Sequence, residues 1–217
     1  MSKKEDSFIL ESLISIFTIE KGKIKILLER KKENPYKGYW ILPNEKLKKD
    51  TTLEVTIESI LNRTINTSKI YTEQNYTFSG IDRNPENRII ATSYIGLVDN
   101  KNVKLNEEIE LNWFNLDELP KIGYDHKEII DSSKEQLKTK LTNTTILKNL
   151  FPNKFTLPEL QSIFEIIINK NLDRRNFRKK LLTLNLIEGT GESSVGGSGR
   201  PAKLYKFKEN IKDINLF

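Results

Sequence analysis

Two adjoining stretches decide the architecture: residues 156–187, TLPELQSIFEIIINKNLDRRNFRKKLLTLNLI, and residues 189–208, GTGESSVGGSGRPAKLYKFK. In the first, Thr156 and Glu159 have the spacing of a capping box, and Phe155 ahead of them is placed to staple to Leu160. Leu160, Ile163, Phe164 and Ile167 repeat at helical spacing and give that helix one core face. The pattern breaks at 169–172, and Asp173 is a natural N-cap for a second helix carrying Phe177, Leu181 and Leu184 inward. On a wheel of about 100° per residue with Phe177 at zero, Arg175 falls at about 160°, Lys179 at about 200° and Asn176 at about 260°. The outward face is therefore built from hydrogen-bond donors, flanked by Arg174, Arg178 and Lys180. Arg and Lys match the guanine acceptors of the major groove and Asn pairs with adenine, so Arg175, Asn176 and Lys179 are the base-reading candidates. Arg174, Arg178 and Lys180 suit phosphate anchoring, which positions a helix without reading sequence.

The second stretch carries Gly189, Gly191, Gly196, Gly197 and Gly199, after which Leu204, Tyr205 and Phe207 resume a strand pattern. A flexible hairpin tip followed by an anchoring strand, directly after a basic helix, is the pattern of a winged helix-turn-helix. Arg200 and Lys203 at its base are placed to reach a phosphate or an adjacent minor groove. No aromatic platform is interleaved with the basic residues, which favours duplex DNA over RNA.

Charge agrees with this division. Residues 150–217 hold 12 Lys+Arg against 7 Asp+Glu, and the remaining 149 hold 24 against 23, so nearly all of the net +6 belongs to the last third. Such asymmetry implies a polyanionic partner engaged by one domain. At 36% hydrophobic and 30% charged residues, a chain of 217 reads as two folded domains rather than a disordered one. With no cysteine and one histidine, disulfide frameworks, thiolate nucleophiles and Cys- or His-rich metal centres are excluded. No apolar run approaches the ~18 residues of a membrane span, and Glu5, Asp6 and Glu11 interrupt any signal peptide, so a cytoplasmic location is expected.

Toward the N-terminus, residues 13–17 and 24–28 read as two strands of a hairpin turning at Lys21 and Gly22. Residues 31–39 form a loop and 40–43 a short apolar WILP. A helix follows over 51–61, with Thr51 and Glu54 as capping box and Leu53, Ile57, Ile60 and Leu61 as its buried face. Strands return at 71–78, 88–98 and 110–114, and a helix opens at Asp125 and runs to about Leu141. Residues 142–145 weaken helix propensity. This order argues an α+β first domain over 1–125, a linker helix over 126–145 and a winged-helix domain over 146–217.

The segments PYKGYWILP (35–43), YTFSGIDRNPENRII (76–90), WFNLDELP (113–120), YDHKEII (124–130), FTLPELQSIFE (155–165), LDRRNFRKKL (172–181) and GRPAKLYKF (199–207), in this order, resemble the Nudix-related bacterial transcriptional regulators. The resemblance implies a Nudix-like mixed-sheet α/β/α sandwich acting as a sensor, joined to a C-terminal winged helix. It also implies a homodimer acting on a double-stranded DNA operator, as repressor or activator, under a small-molecule effector such as ADP-ribose or a pentose.

Nudix hydrolases carry G-x5-E-x7-R-E-U-x-E-E-x-G-U because clustered carboxylates must hold Mg²⁺ against a diphosphate. In register with WILP, this pattern falls on residues 45–67 and every charged or glycine position fails. Glu45 and Asn66 replace the glycines, Thr51 the first acid, Ser59 the arginine, and Ile60, Arg63 and Thr64 the metal-binding acids. No metal, no cofactor and no catalytic residue is therefore expected, and the fold is left with a pocket that senses. Arg30, Trp40, Arg83 and Arg88 are the effector-binding candidates, as an aromatic wall and phosphate forks. Trp40 reads equally as core, and the arginines as ion-pair partners. Asp125 and His126 match the family's pair before the linker helix, where capping is the expected role. Two other readings stay open: a Nudix hydrolase of nucleoside diphosphate derivatives with an appended interaction domain, and a winged helix that contacts protein rather than operator.

Overall fold

The computed structural model describes residues 7–20, 23–143, 146–149, 154–194, 201–209 and 211, the side chains of 141–147 and 167 excepted. In the N-terminal part the elements run β1 (Ile9–Glu20), β2 (Lys23–Arg30), β3 (Trp40–Ile41), β4 (Asn44–Lys46), α1 (Leu53–Ile65), β5 (Tyr71–Phe78), β6 (Ile89–Leu97), β7 (Leu111–Asn115) and α2 (His126–Asn143). The C-terminal part adds β8 (Phe155–Thr156), α3 (Leu157–Ile168), α4 (Arg174–Thr183), β9 (Ile187–Ser193) and β10 (Lys203–Phe207). Two compact units result: residues up to Thr18 with Lys25–Ser133, and Ile19–Ile24 with Lys134–Phe217, so the division falls within α2.

In the first unit β1 is buried from Ser12 to Thr18, side chains of both faces included. A strand covered on both sides belongs at the centre of a sheet between helices. The sheet order is β3-β2-β1-β6-β5, with β1 and β6 parallel from Ile9↔Ile89 to Phe17↔Leu97, β4 antiparallel to β1 and β7 antiparallel to β2. On one face Ile14 and Ile16 pack with Leu27, Tyr94 and the α1 residues Ile57, Ile60, Leu61 and Ile65. On the opposite face Ser15 Oγ donates to Ser133 Oγ of α2 at 3.0 Å, satisfying a hydroxyl that burial would otherwise penalise. The result is an α/β/α mixed sandwich.

Two local expectations for α1 are corrected. Its N-cap is Thr52, whose hydroxyl accepts from Val55 N at 3.3 Å, not Thr51; Thr51 Oγ1 instead faces Lys48 and Thr56. The helix also runs a turn beyond residue 61, because Thr64 and Ile65 are buried and Thr64 Oγ1 bonds Ile60 O. It stops at Asn66, whose φ of 56° and ψ of 28° put it in the left-handed region. Asparagine tolerates that geometry, so Asn66 does the terminating work of the glycine it replaces.

The second unit has a three-stranded sheet in the order β8-β10-β9. Phe155, Leu160, Ile163, Phe164, Phe177, Leu181, Leu186, Ile187 and Tyr205 form its buried set, with the Phe164 and Phe177 rings edge to face at 5.3 Å. The Thr156–Glu159 capping box is present in both directions: Thr156 N donates to Glu159 Oε2 at 2.7 Å, and Glu159 N to Thr156 Oγ1 at 3.3 Å. Thr156→Ala removes one half of it, and chemical denaturation is expected to show a loss of ~0.5–2 kcal/mol. A smaller change than ~0.3 kcal/mol would mean that Glu159 alone carries the cap. Asp173 caps α4 as expected, accepting from Asn176 N at 2.8 Å. β9 and β10 form the antiparallel wing ribbon, registered from Lys203↔Ser193 to Phe207↔Ile187. Its tip, 195–200, lies outside the described residues, and Arg200 with it.

Candidate effector cleft and nucleic-acid interface

A cleft of about 590 Å³ opens in the first unit, within the range of small-ligand sites. It is walled by the end of β2 and the following loop, by β4 and α1, and by the 83–89 loop with Tyr124 and His126. Of the four expected effector residues it gathers two. Arg30 reaches the rim, pairing with Glu110 at 2.9 Å and lying 5.8 Å over the Trp40 ring. Arg83 lies in the floor, its side chain only 3% exposed.

Arg83 is not a free phosphate fork. Its Nε and Nη2 donate to the two Asp125 oxygens at 2.9 Å each, and Nη1 approaches Glu11 Oε2 at 3.4 Å. Burying a guanidinium is tolerable when its charge is met in this bidentate way. Asp125 does precede α2, but its carboxylate serves Arg83 and not the expected cap; only its backbone oxygen meets the helix, accepting from Glu128 N and Ile129 N as the first helical bonds. Burial pushes the Glu11 carboxyl up, against the lowering pull of Arg83.

Trp40 and Arg88 do not line the cleft. Trp40 packs edge to face on Phe114 at 4.6 Å. Arg88 donates to Gly80 O and Ser79 O at 2.9 and 3.0 Å, pinning its own loop. The aromatic wall is instead Tyr124, which sits at a positive φ of 56° and packs 4.7 Å from the Tyr36 ring.

His126, the single histidine, is fully buried and accepts at Nδ1 from Leu42 N at 3.0 Å. That bond requires an unprotonated Nδ1, hence the neutral imidazole with its proton on Nε2. Burial, reinforced by the Arg83 charge, pushes its pKa down to about 3. Sequence reasoning passed over this role because nothing in the pattern announces a backbone donor 84 residues away.

A Nudix fold implies a divalent cation, and the residues present do not fit one. Ile60 and Thr64 are buried packing positions on α1. Arg63 presents a guanidinium, 2.9 Å from Glu29 Oε2 and donating to Asn44 O at 3.3 Å. Glu45 is taken up by Ser59 Oγ at 2.8 Å. Among the described residues no cluster of three or more acids or histidines is placed to hold a metal.

In the second unit Arg174, Arg175, Asn176, Arg178 and Lys179 are exposed along α4, and Lys180 is half-buried. No carboxylate of the described residues pairs with Arg174, Arg175, Arg178 or Lys179. A groove of about 1030 Å³ brings Arg174, Arg175 and Arg178 together with Lys203 of the wing, over a floor that includes Phe177 and Tyr205. Asn176, Lys179 and Lys180 lie outside its lining.

Comparison with known proteins sets off the second part by its own family and matches the chain along nearly its whole length. Residues 147–207 match the family described as the NrtR DNA-binding winged helix domain. Over 209 residues the chain is 29% identical to the ADPR responsive transcriptional repressor NtrR of Acinetobacter baylyi, covering 94% of this chain and 83% of that protein. The crystal structure of Shewanella oneidensis NrtR matches with a TM-score of 0.80 at 25% identity, covering 93% of this chain and 95% of that one. The same protein complexed with a 27mer DNA matches at 0.77 and 26%, over 92% and 93%. A 108-residue stretch, 49% of this chain and 63% of the other, is 32% identical to the ADP-ribose pyrophosphatase of Methanocaldococcus jannaschii.

Proposed function

We propose that this chain, a Nudix-like domain followed by an NrtR-type winged helix, is a transcriptional repressor whose hold on operator DNA is set by ADP-ribose or a close chemical relative. The observation carrying the DNA half is the set of exposed cations Arg174, Arg175 and Arg178 on α4, none paired with an acid of the described residues, in one groove with Lys203 of the wing. Arg175, Asn176 and Lys179 read base edges, while Arg174, Arg178, Lys180, Arg200 and Lys203 hold the backbone. Two copies would place their recognition helices about one helical turn apart on a palindromic site. Residues 1–125 act as sensor, 126–145 as linker helix and 146–217 as the DNA-binding domain, working in the cytoplasm where the DNA is. Among the described residues no helix is long and apolar enough to cross a membrane.

The effector half draws on the cleft and on the relatives, since the Acinetobacter baylyi repressor is named for its response to ADP-ribose. Tyr124 offers a stacking face for a base, and the basic rim suits a diphosphate. A pentose alone would leave that rim unused. The domain hydrolyses nothing in this reading, since Ile60, Arg63 and Thr64 occupy the positions of the metal-binding acids. ADP-ribose at 100 times its dissociation constant is expected to stabilise the chain by ~2.7 kcal/mol in a thermal-shift experiment and to alter a gel shift on the DNA upstream of its operon. Incubation with ADP-ribose and Mg²⁺ should yield no AMP. Steady AMP release would favour the rival hydrolase, the activity named for the Methanocaldococcus jannaschii relative.

A further inference from the structure

Arg63 is the residue of the cleft that the fold's ancestral chemistry least accommodates. It stands where a hydrolase places a metal-binding carboxylate, its side chain is 32% exposed, and it lines the cleft. A guanidinium has five N–H donors in a rigid fork, and the contacts to Glu29 and Asn44 O engage only Nη1 and Nη2. Its carboxylate partner is poorly settled. Glu29 Oε2 is buried and, although 2.9 Å from Arg63 Nη1, has no aligned hydrogen bond. A buried acceptor left without such a bond is a penalty that an exchange of partners can relieve. Lys46 also lines the cleft, opposite Glu11 across the β1–β4 pair, where its charge pulls that carboxyl down.

We propose that Arg63 does the electrostatic work that a divalent cation does in a hydrolase: it binds the effector's diphosphate through its guanidinium fork, in the cleft that Lys46 also lines, so that ligand is taken up without Mg²⁺. A metal bridging two phosphate oxygens supplies localised positive charge, and a guanidinium supplies charge and two parallel donors in the same geometry. It also cannot activate a water, which separates sensing the diphosphate from cleaving it. Glu29 sits against Nη1 alone, and the diphosphate displaces it from there. This assignment rests on the effector reading above and adds the group that recognises the diphosphate.

Calorimetric titration of the full chain with ADP-ribose, in excess EDTA and in excess MgCl₂, tests it. The dissociation constant should be the same in both buffers within about twofold. Arg63→Ala should weaken binding roughly tenfold or more in both, and Arg63→Lys should recover part of it, as expected of a charge-assisted contact. Glu29→Gln should act in the opposite direction, tightening binding a few-fold by removing the competing carboxylate, and it stands as the deciding variant if Arg63→Ala fails to fold. Binding that requires Mg²⁺, or that survives Arg63→Ala undiminished, would overturn the assignment while leaving ADP-ribose as effector. A chain that still binds operator but takes ADP-ribose in neither buffer would refute the effector reading, and this assignment with it.

Discussion

Raising monovalent salt from about 50 to 200 mM is expected to weaken operator binding by roughly 10³–10⁵-fold, because the proposed dimer, presenting two α4–wing surfaces, would neutralise about 6–10 phosphates and release their counterions. The magnitude follows from the absence of internal competition: no acid of the described residues pairs with Arg174, Arg175, Arg178 or Lys179, so their charge is free for DNA. The two classes of contact should separate. Arg175→Ala and Asn176→Ala should each cost about 1–3 kcal/mol of discrimination at one base pair, read by competition against mutated operators. Arg178→Ala, in the groove shared with Lys203, should weaken all sequences alike and lower the salt slope by about one. A salt-indifferent complex would mean that the winged helix docks on protein. Equal losses on operator and random DNA for all three variants would erase the division between readers and anchors.

The second unit was legible because its signals are local. Thr156 with Glu159, and Asp173 before a basic run, are bonds between residues three positions apart, and α4 turns its cations outward by helical period alone. The same logic shows where reading failed. Adjacent Thr51 and Thr52 each carry a hydroxyl able to cap α1, and only the path of the chain picks Thr52. Arg83 looked like a phosphate fork because its partners, Asp125 and Glu11, are 42 and 72 residues away, and no periodicity connects them. Trp40 is an aromatic beside a loop, and whether it faces ligand or Phe114 depends on β7 packing beside β2. Arg63 was visible as a lost metal ligand, but its place in the cleft emerged only with Glu29 and Asn44 around it. Residues whose roles depend on distant partners are where the sensor was hidden.

Acid should destabilise the first unit through one side chain. His126 has a folded pKa of about 3 against 6.5 unfolded. Below pH 6.5 the unfolded chain takes up a proton that the folded one refuses. The stability this represents is complete above pH 6.5 and is lost as pH falls, at ~1.4 kcal/mol per unit, down to about 3. By pH 4.5 the loss should reach about 2.5 kcal/mol. Glu11, raised by burial, acts in the opposite sense in the acid range, favouring the fold as its carboxyl protonates, so the quantity to measure is a difference. His126→Gln keeps an acceptor for Leu42 N and removes the titration, and denaturation curves of the two chains should diverge by that amount between pH 6.5 and 4.5. With one histidine in the sequence, an imidazole NMR titration reports this site without assignment and should stay flat above about pH 4. Parallel denaturation curves, or an imidazole titrating near 6.5, would show that Leu42 N does not hold the ring. The functional consequence lies in position: Nδ1 ties the strand end at Leu42 to the first residue of α2, beside the Arg83–Asp125 pair in the cleft floor. A neutral, non-titrating imidazole there keeps the start of that helix tied to Leu42 across physiological pH.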